Sequence, residues 1–216
     1  MKKVFIDIGH GGEDSGAIGR LFNEKEYNLI IGNKVIDKLK NYNCEVFYSR
    51  NTDKTVSLED RVKLSDKYNC DIFVSIHCNS SPNTSATGFE SFSYNGNSEL
   101  QNRLHKEVIK DLPLVDRGMK TANFYVLRET NAKAVLLELG FISNLNDSGI
   151  LNANVESVAN SIVRGIILYL GLSQISSNRE VYRVCVGSYT VRANAENMLK
   201  QLEKDGYKPF IAKATI

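Results

Sequence analysis

The sequence predicts an α/β fold: a mostly parallel sheet with helices on both faces, and a small βαβ-like unit at the C-terminus. Two observations support this. Short apolar runs alternate along the chain with longer segments that have one apolar helical face. The runs "KVFIDI", "DIFVSIH" and "KAVLLELG" are apolar enough for strands that are buried in a sheet. A length of 216 residues allows one sizeable domain with an appendage.

The first half of the chain contains three predicted strands and two predicted helices. The strands are residues 3–8, 44–50 and 71–77, and the helices are residues 24–42 and 57–68. The first helix is indicated by apolar residues at four-residue steps, which are Tyr27, Ile31, Val35 and Leu39. Ser57 and Asp60 form a capping-box start for the second helix. A polar loop is expected over residues 79–88.

The second half continues the same alternation. Strands are predicted over residues 89–94, 123–128 and 133–140, and helices over residues 98–112 and 155–172. The first domain therefore spans residues 1–172, and the serine- and asparagine-rich segment 173–180 is a linker by composition. Residues 181–216 then predict a strand (181–189), a helix (192–207) and a second strand (208–215). A unit this small needs a partner surface for stability.

Composition excludes several classes of protein. The 27 basic and 25 acidic side chains give a net charge of +2, so no basic face for nucleic acid is expected. The longest apolar run, "GIILYLGL", is too short to span a membrane. Four scattered cysteines predict no disulfide framework, and Asp7 interrupts the N-terminal apolar run that a signal peptide would need. We therefore expect synthesis in a reducing cytoplasm without a signal peptide.

The turn "GHGGEDSG" follows the first strand and places His10, one of only three histidines, among glycines. One interpretation is a phosphate-binding loop. However, the order of the glycines is not G-x-G-x-x-G and no Gly-Lys-Ser/Thr follows, so both phosphate fingerprints fail. Taken alone, His10 is most simply an incidental residue in a strand-to-loop turn.

His10 has possible partners at other strand ends, where ligands bind in open parallel sheets. His77 ends another predicted strand, Glu138 lies near the end of a third, and Glu24 opens the first helix. Two imidazoles and a carboxylate are a typical zinc ligand set, and a further carboxylate could be a general base.

Each of these residues also has a simpler explanation. His77 could be a core histidine bonded to a carbonyl, Glu24 a favourable first-turn charge, and Glu138 half of a buried ion pair. His105 is expected to be a surface or half-buried helix residue and is left out of the candidate set.

At this point seven blocks of sequence resemble a known family in order and spacing. The blocks are "IDIGHGGEDSGAIG", "NEKEYNLIIG", "SRNTD…SLEDRV", "DIFVSIHCNS", "GFESFSY", "RGMKTANFYVLRET" and "AVLLELGFISNLND". They look like those of the zinc-dependent N-acetylmuramoyl-L-alanine amidases of the amidase-3 family, found in bacterial autolysins and phage endolysins. The resemblance covers about residues 1–172 and implies a twisted α/β sheet with one catalytic zinc ion.

Position by position, the resemblance assigns the metal ligands to His10, Glu24 and His77 and the catalytic glutamate to Glu138. Asn79, Arg117 and Arg128 lie in matching blocks and are candidates for contacting substrate, although hydrogen bonding within loops would explain them equally well. Two positions depart from the family pattern. Ile8 stands where proline is frequent, and Cys78 stands where a small residue is usual; we expect Cys78 to pack on the opposite face of the sheet from His77.

The implied reaction is hydrolysis of the amide between N-acetylmuramic acid and L-alanine of the stem peptide, by zinc-activated water with Glu138 as general base. The glycines around His10 would leave open space for a long polymer. The implied partner is peptidoglycan, and the implied role is that of a phage or prophage endolysin that reaches the wall after host lysis. Two alternatives stay open: a non-catalytic wall-binding module, and a zinc peptidase that cleaves another bond. A second carboxylate beside the metal favours the enzyme.

The C-terminal segment resembles the first half of a sporulation-related repeat (SPOR) domain, which binds glycan strands. The resemblance rests on "VGSY", "ANAENMLKQL" and "GYKPFI" within residues 181–216. A complete module contains this unit twice. Pairing of two chains into a homodimer through residues 181–216 would complete the sheet. The alternatives are that the segment docks on the first domain or that the chain is a fragment.

Overall fold

The computed structural model describes residues 1–96, 98–175 and 184–213. The chain divides into two compact units, Met1–Ile175 and Ser176–Ile216, which are described separately. Within the described residues, the first unit has six strands: β1 (Lys2–Ile8), β2 (Cys44–Tyr48), β3 (Ile72–Asn79), β4 (Phe89–Ser93), β5 (Asp116–Thr121) and β6 (Lys133–Phe141). Its helices are α1 (Glu24–Leu39), α2 (Leu58–Lys67), α3 (Glu99–Asp111), α4 (Tyr125–Glu129), α5 (Leu145–Ala153) and α6 (Val155–Leu170).

The six strands form one sheet in the order β2-β1-β3-β6-β4-β5. All neighbouring pairs are parallel except β4 and β6, which are antiparallel. The predicted mostly parallel α/β sheet is therefore confirmed. The parallel strands β1, β3 and β6 lie at its centre, so their carboxyl ends meet at one edge.

Apolar residues cover both faces of the sheet. On one face, Val4, Ile6 and Ile8 of β1 belong to the core that α1, α3 and α6 complete. On the other face, Phe5 stacks on Phe73 with ring centroids 5.1 Å apart, and short helices α2 and α4 cover them. The alternation of side chains along β1 and β3 thus places helices on both faces, as predicted.

Three elements of the first unit differ from the predictions. The strand predicted over residues 123–128 is wrong: Tyr125–Glu129 form helix α4, because the buried pair Val126 and Leu127 packs beside α2 in the second core. Strand β5 and helix α5 are additional. Helix α5 begins where the Asn144 side chain accepts hydrogen bonds from the backbone of Asn146 and Asp147.

The predicted linker begins later than residue 173. The backbone N–H of Asn43 donates to the carbonyl of Ser173 (3.0 Å), and that of Ile175 donates to Asn41 (2.8 Å). Residues 173–175 are therefore fixed to the first unit, while residues 176–180 lie outside the described residues.

The second unit contains helix α7 (Arg192–Lys204), which agrees with the helix predicted over 192–207. Residues 184–189 and 208–213 are described and form no strand, so the strand predictions are wrong over those residues. The remaining parts of the predicted strands, residues 181–183 and 214–215, lie outside the described residues. None of the described helices combines the length and the apolarity needed to cross a bilayer.

Candidate metal centre and catalytic site

The turn after β1 holds His10 in a left-handed backbone conformation, with φ of 59°. Such a conformation is strained for a residue other than glycine and persists only where the surroundings enforce it. Two arginines provide that enforcement. Arg61 donates from Nη1 to the carbonyl of Ile8 (2.6 Å) and from Nη2 to that of His10 (2.9 Å), and the buried Arg50 donates from Nη2 to that of Gly9 (2.9 Å).

The buried ion pair between Arg61 and Asp7 supports the same turn. Asp7, near the end of β1, accepts a hydrogen bond from Arg61 Nη1 (2.7 Å) and another from the Ser75 hydroxyl (2.7 Å). Burial raises the pKa of Asp7, but the charge and hydrogen bond of Arg61 outweigh burial and hold this pKa below its ordinary value. From the sequence, Asp7 was interpreted only as an interruption of the apolar run, and neither arginine was expected to support the turn.

Glu24, the first residue of α1, joins the two histidines. Its Oε1 atom lies 2.9 Å from Nδ1 of His77, and its Oε2 atom lies 3.1 Å from Nε2 of His10. Backbone N–H groups of Cys78 (3.0 Å) and Ala17 (2.9 Å) donate to the same two oxygens. The possible ligand atoms of His10, Glu24 and His77 all lie within 4.8 Å of one another. The structure therefore brings together the three residues that the resemblance assigns to a metal.

Each histidine is held with one nitrogen facing Glu24. Nδ1 of His10 is hydrogen bonded to Asp14 Oδ2 (2.8 Å), which leaves its Nε2 for the cluster. The Cε1 edge of the His77 ring lies against Gly9, and its Nδ1 faces Oε1 of Glu24 (2.9 Å). A carboxylate on the far nitrogen of a histidine is a common way to orient a metal ligand.

The glycines of the turn allow close packing rather than open space. A Cβ atom on Gly9 would lie 2.4 Å from Cε1 of His77, and one on Gly16 would lie 2.6 Å from Cδ2 of His10 and 2.7 Å from Oε2 of Glu24. Gly16 also has a φ of +61°, which other residues rarely adopt. The interpretation that these glycines leave room for a polymer is therefore corrected: they leave room for the imidazoles.

The carboxylate of Glu24 lies between the imidazoles of His10 and His77. Burial lowers the pKa of His10, but Glu24 and Asp14 raise it above its ordinary value. Burial raises the pKa of Glu24, but the hydrogen bonds from His10 and His77 hold it well below its ordinary range. A divalent cation would replace the protons between these groups, because metal ligands must be deprotonated.

Glu138 lies next to this cluster on the sheet. In the parallel pairing of β3 and β6, Glu138 is the register partner of His77, so both side chains project from the same face. Its Oε2 atom is buried and has no hydrogen-bond partner among the described residues. Burial raises the pKa of Glu138 well above its ordinary value, and the charges of Glu24 and Glu90 add to this effect.

These residues fit a zinc ion. Two imidazole nitrogens and one carboxylate are the ligand types that catalytic zinc sites use, with a position left for water or substrate. Within the described residues, Oε2 of Glu138 is a buried carboxylate oxygen that has no hydrogen-bond partner and lies beside the same cluster, as expected for a group that acts on a bound ligand. All four cysteines are free, and Cys78 packs in the core on the other face of the sheet, as predicted.

A second charged cluster lies on the strands beyond Glu138, and it was not predicted. Glu90 of β4 is the register partner of Glu138. Its Oε1 accepts from Nδ2 of Asn79 (2.7 Å), and its Oε2 accepts from Nε of Arg117 (2.7 Å) and from the Lys120 ammonium. Burial raises the pKa of Glu90, but Lys120 and Arg117 bring it below its ordinary value. Two of the three predicted substrate-contacting residues, Asn79 and Arg117, therefore lie beside Glu138 in this cluster.

Arg128 lies outside both clusters. Its described contacts are with Asn123 Oδ1 (2.6 Å), Glu129 Oε1 (2.6 Å) and the ring of Tyr125, all within or just before α4. His105 is buried rather than half-exposed. It bridges the Ser91 hydroxyl (2.8 Å) and Asp116 (2.9 Å), and so connects α3 to β4 and β5.

Comparison with known proteins identifies the family. The profile described as N-acetylmuramoyl-L-alanine amidase (Amidase_3) matches residues 4–168, which is most of the chain. This chain belongs to the N-acetylmuramoyl-L-alanine amidase family. It is a peptidoglycan amidase with a mixed α/β catalytic fold. A second profile, the SPOR domain, matches residues 153–213.

Individual relatives are similar to this amidase over much of its length. The sporulation-specific N-acetylmuramoyl-L-alanine amidase of Bacillus subtilis (strain 168) is 36% identical over 98% of this chain and 84% of its own length. The endolysin of Bacillus phage SPP1 is 35% identical over 81% of this chain and 68% of its own length. Among solved structures, the catalytic domain of the amidase CwlV from Bacillus (Paenibacillus) polymyxa var. colistinus superposes with a TM-score of 0.77. It is 39% identical and covers 80% of this chain and 100% of that domain.

Proposed function

We propose that this amidase hydrolyses the amide between N-acetylmuramic acid and L-alanine with one zinc ion held by His10, Glu24 and His77, and with Glu138 as the proton-transferring base. The observation that carries the proposal is the convergence of these four residues. Three of them have their ligand atoms within 4.8 Å of one another, and the fourth is in register with His77. A wall-binding module would have no need for the fourth residue.

Zinc, when bound, would polarise the scissile carbonyl and lower the pKa of a water molecule. The residues of the chain then have separate tasks. Glu138 takes the proton of the attacking water and delivers it to the alanine nitrogen as that nitrogen leaves. Asp14 holds His10 in the orientation that directs Nε2 towards Glu24, and Arg61 fixes the carbonyl of His10. Asn79 and Arg117 are the proposed substrate contacts nearest to Glu138, and Arg128 is a more distant one.

The test compares the wild type with the Glu138→Gln variant on purified cell walls. Turbidity measures lysis, and the appearance of new N-terminal alanine identifies the bond that is cleaved. We expect Glu138→Gln to retain zinc and to lose a factor of about 10² to 10⁴ in rate, because the amide cannot accept the proton. Chelation should abolish lysis of the wild type, and added zinc should restore it.

Glu45→Gln is the matched control, because Glu45 is exposed on β2 and carries the same change of charge. It should lyse walls at the wild-type rate. Lysis by Glu138→Gln at the rate of the Glu45→Gln control would remove Glu138 from the mechanism. Release of amines other than the alanine amine would indicate the zinc peptidase instead.

We further propose that residues 181–216 bind the wall. The match of the SPOR profile to residues 153–213 supports this role. Pairing of two copies through the same segment stays a second proposal, which the described residues 184–189 and 208–213 do not favour because they form no strand. Sedimentation of the full chain at micromolar concentration distinguishes a monomer from a pair.

Two settings for wall lysis follow from the relatives. The similarity to a phage endolysin supports an endolysin role that acts after host lysis. The similarity over 98% of the chain to a sporulation-specific amidase supports wall lysis during sporulation, because that relative also matches the C-terminal unit. Synthesis of the protein during phage induction would support the first setting, and synthesis during sporulation would support the second.

A further inference from the structure

The charged residues of the site form a row across the sheet. His77 on β3 pairs in register with Glu138 on β6, and Glu138 pairs in register with Glu90 on β4. Strand β5 follows β4 at the end of the sheet and carries Arg117 and Lys120. The row therefore runs from the metal cluster, past the proton-transferring carboxylate, to two cations.

Arg117 and Lys120 together carry one more charge than the Glu90 carboxylate neutralises. The Glu90 side chain is only 6% exposed, whereas those of Arg117 and Lys120 are 35% and 39% exposed. One buried carboxylate thus holds two basic side chains at the surface. In the part of the chain that the structure describes, the Lys120 ammonium has Glu90 as its only hydrogen-bond partner, which leaves donor capacity free.

Packing fixes both cations in place. The stem of Arg117 passes over Gly88, where a Cβ atom would lie 2.8 Å from Cγ of Arg117, and its guanidinium lies 4.8 Å from the centre of the Phe141 ring. A further hydrogen bond joins Nη1 of Arg117 to the carbonyl of Thr87 (3.2 Å). The Lys120 ammonium lies 6.0 Å from the centre of the Phe92 ring. An anion that binds here would meet donors that are already ordered, which favours binding.

The direction of the row indicates which part of the substrate meets these cations. This step rests on the proposed function. If Glu138 delivers a proton to the alanine nitrogen, that nitrogen lies beside Glu138, and the peptide begins there. His77 and the metal cluster occupy one side of Glu138, so the peptide has the side towards β4 and β5 available.

We propose that Lys120 and Arg117 form an anion subsite that binds a carboxylate of the peptide stem. The substrate class is therefore peptidoglycan in which the residue after alanine carries a free α-carboxylate rather than a carboxamide. The carboxylate accepts from the free hydrogens of Lys120 and from the outer nitrogens of Arg117, while Glu90 keeps both cations in position.

The experiment uses two soluble muramoyl peptides that differ only in having a carboxylate or a carboxamide on the residue after alanine. We expect the wild type to have a KM about tenfold lower for the carboxylate, the usual effect of a charge-assisted hydrogen bond. In Lys120→Met, the KM for the carboxylate substrate should rise about tenfold, and the KM for the carboxamide should stay the same. The kcat values should change little, because Lys120 does not touch the reacting atoms.

Two further variants separate binding from structure. Lys120→Arg should restore the preference for the carboxylate, and Lys106→Met, on the exposed face of α3, should leave it unchanged. A second readout does not depend on turnover. Calorimetry with the metal-free enzyme should show that L-alanyl-γ-D-glutamate binds more tightly than its α-carboxamide, and that Lys120→Met abolishes this difference.

Equal KM values for the two substrates in the wild type would overturn the proposal. So would a rise of both KM values together in Lys120→Met, because that result would make Lys120 only a partner of Glu90. Failure of the proposed function looks different: neither substrate would be cleaved, or Glu138→Gln would cleave both, whatever the calorimetry shows.

Discussion

Glu24 and Glu90 are both buried carboxylates at the same edge of the sheet, and each is held between two basic side chains. Glu24 lies between the imidazoles of His10 and His77. Glu90 lies between the guanidinium of Arg117 and the ammonium of Lys120. In both cases burial raises the pKa of the carboxyl group, and the basic neighbours more than reverse that effect.

The basic neighbours of Glu24 and Glu90 differ in whether they can lose a proton near neutral pH. An imidazole can lose its proton and present a lone pair, so the surroundings of Glu24 can become a ligand set for a divalent cation. Guanidinium and ammonium groups stay protonated near neutral pH and offer only donors, so the surroundings of Glu90 repel a cation and attract an anion. The same arrangement of charges thus underlies two proposed sites for ligands of opposite sign, with Glu138 between them.

The largest loss of zinc and of activity is expected when an imidazole beside Glu24 is displaced. In Gly9→Ala, the new methyl group would lie 2.4 Å from Cε1 of His77, so the ring must move away from Glu24. We expect zinc content to fall well below one per chain and wall lysis to fall by about 10²-fold or more, because small displacements at a catalytic site have effects of this size.

Gly149→Ala is the control for this prediction, because a Cβ atom on Gly149 meets nothing within 4 Å. It should keep both zinc and activity. Full zinc content in Gly9→Ala would show that close packing of His77 on Gly9 is not needed to hold the metal.

A smaller effect, on stability, is expected from neutralising the second glutamate. Glu90→Gln leaves Arg117 and Lys120 close together without their shared carboxylate. The free energy of unfolding should fall by roughly 1–3 kcal/mol at pH 7, a value reduced by the partial exposure of both cations. Chemical denaturation of the metal-free protein measures this change.

The pH dependence of the difference in unfolding free energy between wild type and Glu90→Gln tests this prediction. Because the pKa of Glu90 is lower in the folded protein than in the unfolded chain, its stabilisation is complete above about pH 4.3 and is lost as the pH falls through the folded value. The stability difference between wild type and Glu90→Gln should therefore narrow below pH 4. A difference that widens in acid would contradict the assignment of the ionised form to Glu90.

The smallest effect is expected for Arg128→Met. Its guanidinium is paired with Glu129 and lies outside the row from His77 to Lys120. We expect kcat/KM on purified walls to change by less than about threefold, the size of a weak surface contact. A larger loss would show that Arg128 contributes more to substrate binding than a weak surface contact does.

The metal side of the site was predictable because its signals are local. His10, His77 and Glu138 each lie at or near the end of a strongly apolar run, and the carboxyl ends of parallel strands meet at one edge. The cation side was not predicted, because β5 is an edge strand without an apolar alternation and β4 runs antiparallel to β6. A strand order cannot be read from the composition of separate segments.

One signal for the cation side was present in the sequence. Glu90 lies within the apolar strand "FESFSY", and a carboxylate in such a strand needs a partner, as Glu138 does. Because Glu90 and Glu138 both lie in apolar strands, each of them indicates a cluster of polar partners nearby. The strand predicted for "NFYVLR" is wrong for a different reason. Aromatic and branched residues favour a strand. In the fold, however, Val126 and Leu127 pack in the same core as Phe5 and Phe73, as part of a short helix.

The contact of the His77 ring with Gly9 has a consequence for how quickly the proposed zinc ion would bind. The glycine surface, the Glu24 oxygen and the carbonyls secured by two arginines hold both imidazoles in the arrangement that a divalent cation would need. Binding of the ion then requires that the ion loses water and the ligands lose protons, but the imidazoles do not have to change rotamer. Newly made chains should therefore become competent as soon as the sheet has formed.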